Sequence, residues 1–375
     1  MESIDAKRMM RPCVKYFEPY IPGKPISEVK KRFGLKKIIK LASNENPLGP
    51  SKKIFSAVNK ILKDLYLYPV GNSQDLRQML AKKYGLSLDE IIVGSGTDEL
   101  IEIIGKTFLN PEDEIVVSKH AFIRYRMTGQ LMNCKIREIP MRNFTHDLDN
   151  MLKAVNNKTK IVFIANPNNP TGTFVNKKEI NIFLSRLPKK VIVCLDEAYY
   201  EYACVSKNYP DGIALYKSRG ANLIVLRTFS KIYALAGLRV GYAVSRPDII
   251  DGLDRIRPPF NVNTVAQIAA KISLEDLQQI KQGQNLVRAQ KSRLYNCLDS
   301  IGVRYIPSAA NFVLMNSKSL GYSGKELFNL LLKRGIIIRE MSEYELPDWV
   351  RITVSKSNEM NILFNALKNI GKIKK

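Results

Sequence analysis

Seven short apolar runs punctuate residues 90–245: IIVG, EIVVS, KIREI, KIVFIA, KVIVCL, NLIVLR and RVGYAV. They are rich in β-branched residues and continuous rather than alternating, which is the pattern of strands covered on both faces. The stretches between them, among them DELIEIIGKTFL, HDLDNMLKAV and KKEINIFLSRL, repeat their apolar residues at helical spacing. A chain built this way is committed to repeating βα units, and so to a mostly parallel seven-stranded sheet sandwiched by helices. In such a sheet the loops at the carboxyl ends of the strands gather into one cleft, where a site is expected.

After about residue 262 the pattern changes. A long helical stretch, TVAQIAAKISLEDLQQIKQGQNLVRAQKSRLYNCLDSIG, leads to strand-like segments near VRYIP, NFVLM, IIIRE and VRITV. Helices are expected near GKELFNLLLKRG and NEMNILFNALKNIG. The reading is an arm over residues 1–44 that packs on both other parts, a large domain over 45–262, and a smaller α/β domain over 263–375.

The 375 residues include 59 Lys and Arg against 35 Asp and Glu, a formal net charge of +24 that invites a nucleic-acid reading. The basic residues are dispersed, however, and the densest stretches, VKKRFGLKKIIK and KNIGKIKK, lack interleaved aromatics or a DNA-binding motif. No nucleic-acid partner is therefore expected. No apolar run approaches the roughly 20 residues that cross a bilayer, so no membrane association is expected either. The first residues have no apolar core behind their charges, unlike a secretory signal. Cys13, Cys134, Cys194, Cys204 and Cys297 include no C-x-x-C pair, and their odd number argues against a disulfide framework. These features point to a reduced, cytoplasmic protein. With only His120 and His146, a His-rich zinc cluster is excluded and no metal is expected.

Polar residues sit where the predicted strands end. IIV runs into GSGTDEL, where Gly96, Thr97 and Asp98 open a helix. Its free N–H groups and dipole form an anion site, although a simple capping turn explains that motif equally well. KIVFIA runs into NPNNPTGT, whose prolines make a rigid loop from which Asn169 projects its amide. KVIVCL runs into DEAYYEY, placing Asp196 directly after a buried strand, where a carboxylate needs a cationic partner or a raised pKa. Tyr199 is close enough to share that place. NLIVLRTFSK delivers Lys231 as a buried lysine, with Thr228 and Ser230 before it and Arg239 eight positions on. An anion cradle, an amide, a buried carboxylate and a buried lysine are the groups that a phosphorylated pyridine aldehyde needs. The lysine condenses with the aldehyde as a Schiff base and the carboxylate keeps the ring nitrogen protonated. Thr228, Ser230, Arg239 and the GSGTD backbone hold the phosphate.

With those residues in view, the chain resembles the fold-type I aminotransferases that use pyridoxal 5'-phosphate, and within them the histidinol-phosphate branch. The resemblance runs from PYIPGKPI to the C-terminus through KLASNENPLGPS, LYLYPVGNSQDLR, HAFIRYRM, RPPFNVN and VRITVS. It implies that Lys231 is the Schiff-base lysine and proton carrier, and that Asp196 is the partner of the pyridine nitrogen. Asn169 and Tyr199 would bond the ring's phenolic oxygen, and Phe122 would stack on the ring. Tyr68 would reach the cofactor phosphate of the neighbouring subunit in a homodimer. Arg351 would anchor the substrate's acidic group, with Tyr20 and Arg339 as further contacts.

The reaction implied is exchange of an amino group between histidinol phosphate and 2-oxoglutarate/glutamate in histidine biosynthesis, by a ping-pong cycle. The rivals are an aromatic-amino-acid aminotransferase of the same branch and a phospho-amino-acid decarboxylase on the same scaffold. A nucleic-acid-binding regulator is disfavoured, because the residues before Pro19 leave no room for a DNA-binding domain.

Overall fold

Each of the seven apolar runs forms a strand in the computed structural model, which describes residues 6–17, 30, 33–35, 37–220 and 222–372. After a short β1 (Ile39–Lys40) they are β2 (Ile91–Gly94), β3 (Glu114–Ser118), β4 (Lys135–Ile139), β5 (Thr159–Ala165), β6 (Ile192–Asp196), β7 (Leu223–Thr228) and β8 (Gly241–Val244). They form one sheet in the order β2-β8-β7-β6-β5-β3-β4. Every pairing is parallel except those of β8, which runs antiparallel to both β2 and β7.

The burial explains why the runs do not alternate. Val93, Val116, Val162, Ile164, Val193, Leu195 and Val225 join one apolar core. Their sequence neighbours Ile92, Ile115, Val117, Phe163, Cys194 and Ile224 join a second core on the other face. Successive side chains point to opposite faces, and both faces are dry. KIREI is the exception. As the edge strand β4 it is half-exposed, which accommodates Lys135, Arg137 and Glu138 within it.

Beyond the large sheet lie β9 (Tyr305–Ile306), β10 (Phe312–Asn316), β11 (Ile336–Ile337), β12 (Arg339–Glu340) and β13 (Trp349–Thr353). Four of them form an antiparallel sheet in the order β12-β13-β10-β9. The run IIIRE, expected as one strand, divides: β11 pairs with β1, while β12 pairs with β13. The long helical stretch also divides, into Thr264–Glu275 and Leu277–Ser300. Asp276 makes the break by accepting the backbone N–H of Gln279 and the hydroxyl of Ser51, 2.6 Å away.

One glycine couples this scaffold to the cleft. A Cβ on Gly241, the first residue of β8, would lie 3.0–3.1 Å from backbone atoms of Gly96, Thr97 and Arg227. None of these can swing aside as a side-chain tip would. Gly241→Ala should therefore destabilise the protein by about 1–3 kcal/mol, read as a lower midpoint of urea unfolding. An unchanged midpoint would show that the turn yields freely.

Candidate active site

Strands β5, β6 and β7 are neighbours and parallel, so Asn169, Asp196 and Lys231 arrive at one edge of the sheet. The antiparallel β8 contributes from its beginning. Gly241 stands opposite both Gly94 and Thr228, so the segment before it, carrying Arg239, meets the ends of β2 and β7.

Asp196 is almost sealed, with 4% of its surface exposed. Its Oδ2 accepts the Tyr125 hydroxyl at 2.7 Å and its Oδ1 accepts the Ala198 N–H at 3.0 Å. Burial raises its pKa to about 6, although both hydrogen bonds pull the other way. Tyr125 is itself buried and stacked on Phe163, 4.9 Å between ring centroids. The next carboxylate on the chain is treated differently. Glu197 receives two hydrogen bonds from the fully buried Arg227, at 2.9 and 2.8 Å, and the Gly212 N–H at 2.8 Å.

Lys231 corrects the expectation of a buried lysine. The residues around it are buried, but Lys231 is half-buried, and its Nζ lies 5.4 Å from the centroid of the Tyr199 ring. The Tyr199 hydroxyl accepts the side-chain amide of Asn44 at 2.9 Å. Asn44 also meets the Thr353 hydroxyl through its backbone N–H and its carbonyl oxygen Oδ1, and its backbone carbonyl accepts the Asn311 amide at 3.0 Å.

The GSGTD turn opens the helix Gly96–Phe108, whose N-cap Ser95 makes no side-chain capping hydrogen bond. The first-turn N–H groups thus lack the partner that the capping alternative required. Thr228 and Ser230 are buried beside the cradle and linked hydroxyl to hydroxyl at 3.0 Å. The Arg239 guanidinium reaches Ser230 Oγ at 3.4 Å and Asp98 at 3.3 Å. It closes over Gly96 so tightly that a Cβ there would lie 2.6 Å from its Nη2. Two hydroxyls, a guanidinium and free helix N–H groups therefore converge, which is the donor set of a phosphate cradle.

On the other wall, Arg351 is 7% exposed and has no ion-pair partner among the described residues. It donates to Asn169 Oδ1 and to the Ala42 carbonyl at 2.7 Å, while its buried Nε has no partner. Burial lowers its pKa, and the neighbouring Arg339 charge acts in the same direction. Arg339 stands directly opposite it across the β12–β13 pair and is joined to Glu343 at 2.7 Å.

The remaining candidates have fewer ties to this cluster. Phe122 is half-buried, edge-on to Tyr125 at 5.8 Å. Tyr68 is 82% exposed and stacked on Phe260 at 4.7 Å. Tyr20 lies outside the described residues. Both histidines serve the scaffold: His146 is buried between Ser118 Oγ and the Ala165 carbonyl, and His120 Nδ1 meets the Tyr344 carbonyl at 2.6 Å. Among the described residues no cluster suited to a metal occurs. Sequence reasoning missed Asn44 and Tyr125, although both lie in segments it quoted. Tyr125 follows Phe122 by three positions, a helical spacing that could have drawn attention to it.

The raised pKa of Asp196 has a definite sign. As pH climbs from about 4 to 6 the unfolded chain loses this proton before the folded protein does, so stability falls. In protein without bound cofactor, Asp196→Asn should remove up to about 3 kcal/mol of that fall. The check is a comparison of unfolding midpoints at pH 4 and pH 8. Equal pH dependence in the two proteins would show that Asp196 is not held protonated by burial.

Residues 36–367 match the family model for aminotransferase class I and II. The chain is 41% identical over 360 residues to a histidinol-phosphate aminotransferase of Moorella thermoacetica, covering 96% of this chain and 92% of the relative. It is 42% identical over 362 residues to one from Caldicellulosiruptor saccharolyticus, covering 96% and 100%. Among solved structures, histidinol-phosphate aminotransferase from Sinorhizobium meliloti, in complex with pyridoxal-5'-phosphate, superposes with a TM-score of 0.89. That chain is 26% identical and the match covers all of both chains.

Proposed function

The chain belongs to the class I and II aminotransferases, and from that premise we propose how its own residues carry out the reaction. It is a pyridoxal-phosphate-dependent transaminase that exchanges the amino group of histidinol phosphate with 2-oxoglutarate/glutamate. When bound, pyridoxal phosphate supplies an aldehyde that exchanges between amines and a ring that draws electrons from the amine-bearing carbon. The observation that carries the assignment of roles is the placement of Asp196 and Lys231 at the ends of adjacent parallel strands.

Asp196 would pair with the protonated ring nitrogen of the cofactor, a cation that would compensate a carboxylate which burial otherwise disfavours. Lys231, half-open to the cleft, holds the cofactor and then moves a proton at the substrate's amine-bearing carbon. Asn169 and Tyr199 would bond the ring oxygen, and Phe122 would cover the ring face. Gly96, Thr97, Asp98, Thr228, Ser230 and Arg239 form the phosphate cradle. Arg351 takes the acidic group of either substrate, a carboxylate or a phosphate, with Arg339 beside it. Tyr20 remains a candidate substrate contact from the sequence.

Sodium borohydride treatment followed by peptide mapping should label Lys231, and labelling of a different lysine would overturn its assignment. Histidinol phosphate should shift the absorbance of the bound cofactor at lower concentration than phenylalanine does. The opposite order would favour the aromatic aminotransferase. Losing one charged hydrogen bond costs about 1.5–3 kcal/mol, so Arg351→Ala should lower kcat/KM roughly ten- to a hundredfold for both donors.

The functional unit is a homodimer in the cytoplasm. The segment around Tyr68 exposes Leu65, Tyr66, Leu67 and Val70, an apolar surface that a second copy would cover. Tyr68 then completes the partner's phosphate site. Mixing Tyr68→Phe with Lys231→Ala protein should create hybrid dimers with one intact site. Hybrids no more active per Lys231-bearing chain than the Tyr68→Phe dimer would exclude a shared site.

A further inference from the structure

Building on the reading of Arg351 and Arg339 as holders of the substrate's acidic group, we propose that Glu343 is a built-in counterion that sets the balance between carboxylate and phosphate substrates. The two arginines stand directly opposite each other on β12 and β13, an arrangement of like charges that is unfavourable by itself. Glu343 relieves it. Its Oε1 accepts from both Nε and Nη2 of Arg339, at 3.2 and 2.7 Å. Arg351 is left with a buried, unpartnered Nε and no carboxylate of its own among the described residues.

The charges then match the two substrates. Among the described residues, the two guanidinium groups and the Glu343 carboxylate sum to a single positive charge, which suits the α-carboxylate of glutamate. A phosphate dianion brings one more negative charge, and Arg339 meets it by exchanging Glu343 for a phosphate oxygen. Because Arg339 and Glu343 are both partly exposed, with side chains 23% and 35% accessible, the released carboxylate has water to turn to.

Glu343 is also held where the exchange needs it. It lies in the short 3-10 turn Ser342–Tyr344, which is tied to the opposite wall by the two residues that follow Glu343. His120 Nδ1 meets the Tyr344 carbonyl at 2.6 Å, and Lys119 pairs with Glu345 at 2.9 Å. The carboxylate is thus presented from an anchored turn, and its exchange with the substrate requires a change of rotamer only.

The test is calorimetric titration of the holoenzyme with glycerol 3-phosphate, a phosphomonoester that has no amine and cannot react. Glu343→Gln should tighten its binding about five- to tenfold, and Glu343→Ala should do the same. Glu343→Asp, which keeps the charge, should stay near the parent. The KM for glutamate in Glu343→Gln should move less than about twofold, because the monoanion never displaced the counterion. The gain should vanish in Arg339→Ala/Glu343→Gln, since it acts through Arg339. Unchanged or weaker glycerol 3-phosphate binding in both Glu343→Gln and Glu343→Ala would overturn the proposal. If Glu343→Gln gains affinity while Arg351→Ala loses none, the Arg351 assignment fails and the counterion stands.

Discussion

Asp196 leaves strand β6 into an almost sealed space, and among the described residues no cation is bonded to its carboxylate there. The neighbouring carboxylate shows what the fold does when a buried charge is only structural. Glu197 points the other way from the strand end and is met by Arg227, which also pairs with Asp211 and lies against the Tyr200 ring at 3.3 Å. Adjacent residues thus have opposite treatments. One carboxylate is neutralised internally; the other is given a phenol and a backbone N–H, which orient it without cancelling its charge. In the proposed reading, a pyridinium ring brings the cation it lacks.

Arg351 repeats the same logic on the opposite wall. It is nearly sealed, bonded to an amide and a carbonyl, and left without an anion among the described residues. The cleft therefore holds a negative group awaiting a cation and a positive group awaiting an anion. Asn169 joins the two sides, because the amide read as a ring contact also accepts from Arg351. A ligand that satisfies both ends must be zwitterionic or assembled from two parts, and a cofactor condensed with an amino substrate is such an assembly.

The large sheet was legible because its strands are dry on both faces, so their composition alone announces them. Asp196, Lys231 and Asn169 were legible because polar residues at the ends of apolar runs are costly without a purpose, whereas Arg351, in the middle of β13, was legible only through the family resemblance. The partnerships were not. Tyr125 bonds Asp196 across 71 positions and Asn44 bonds Tyr199 across 155, and no local pattern encodes such pairs. The break at Asp276 was hidden because its aspartate sits in helix-forming context and caps only the second helix. Lys231 was read as buried because its neighbours are buried; the sequence could not show that its own side chain is half-exposed, with its Nζ 5.4 Å from the Tyr199 ring centroid.

Asn44 sets the order in which this site can be completed. Its hydrogen-bond partners in the C-terminal part, Asn311 and Thr353, lie up to 309 positions downstream. β1 likewise waits for β11 to pair with. During synthesis at ~5–20 residues per second, the segment would stay unpaired for on the order of 15–60 s after it is made. The large sheet needs none of these late residues, since its strands end at Val244. The sheet edge proposed as catalytic is then laid down early and open, and the last strands to emerge fasten Asn44 against Tyr199. Activity should therefore appear abruptly near the end of the chain, long after the sheet that carries Asp196 and Lys231 has formed.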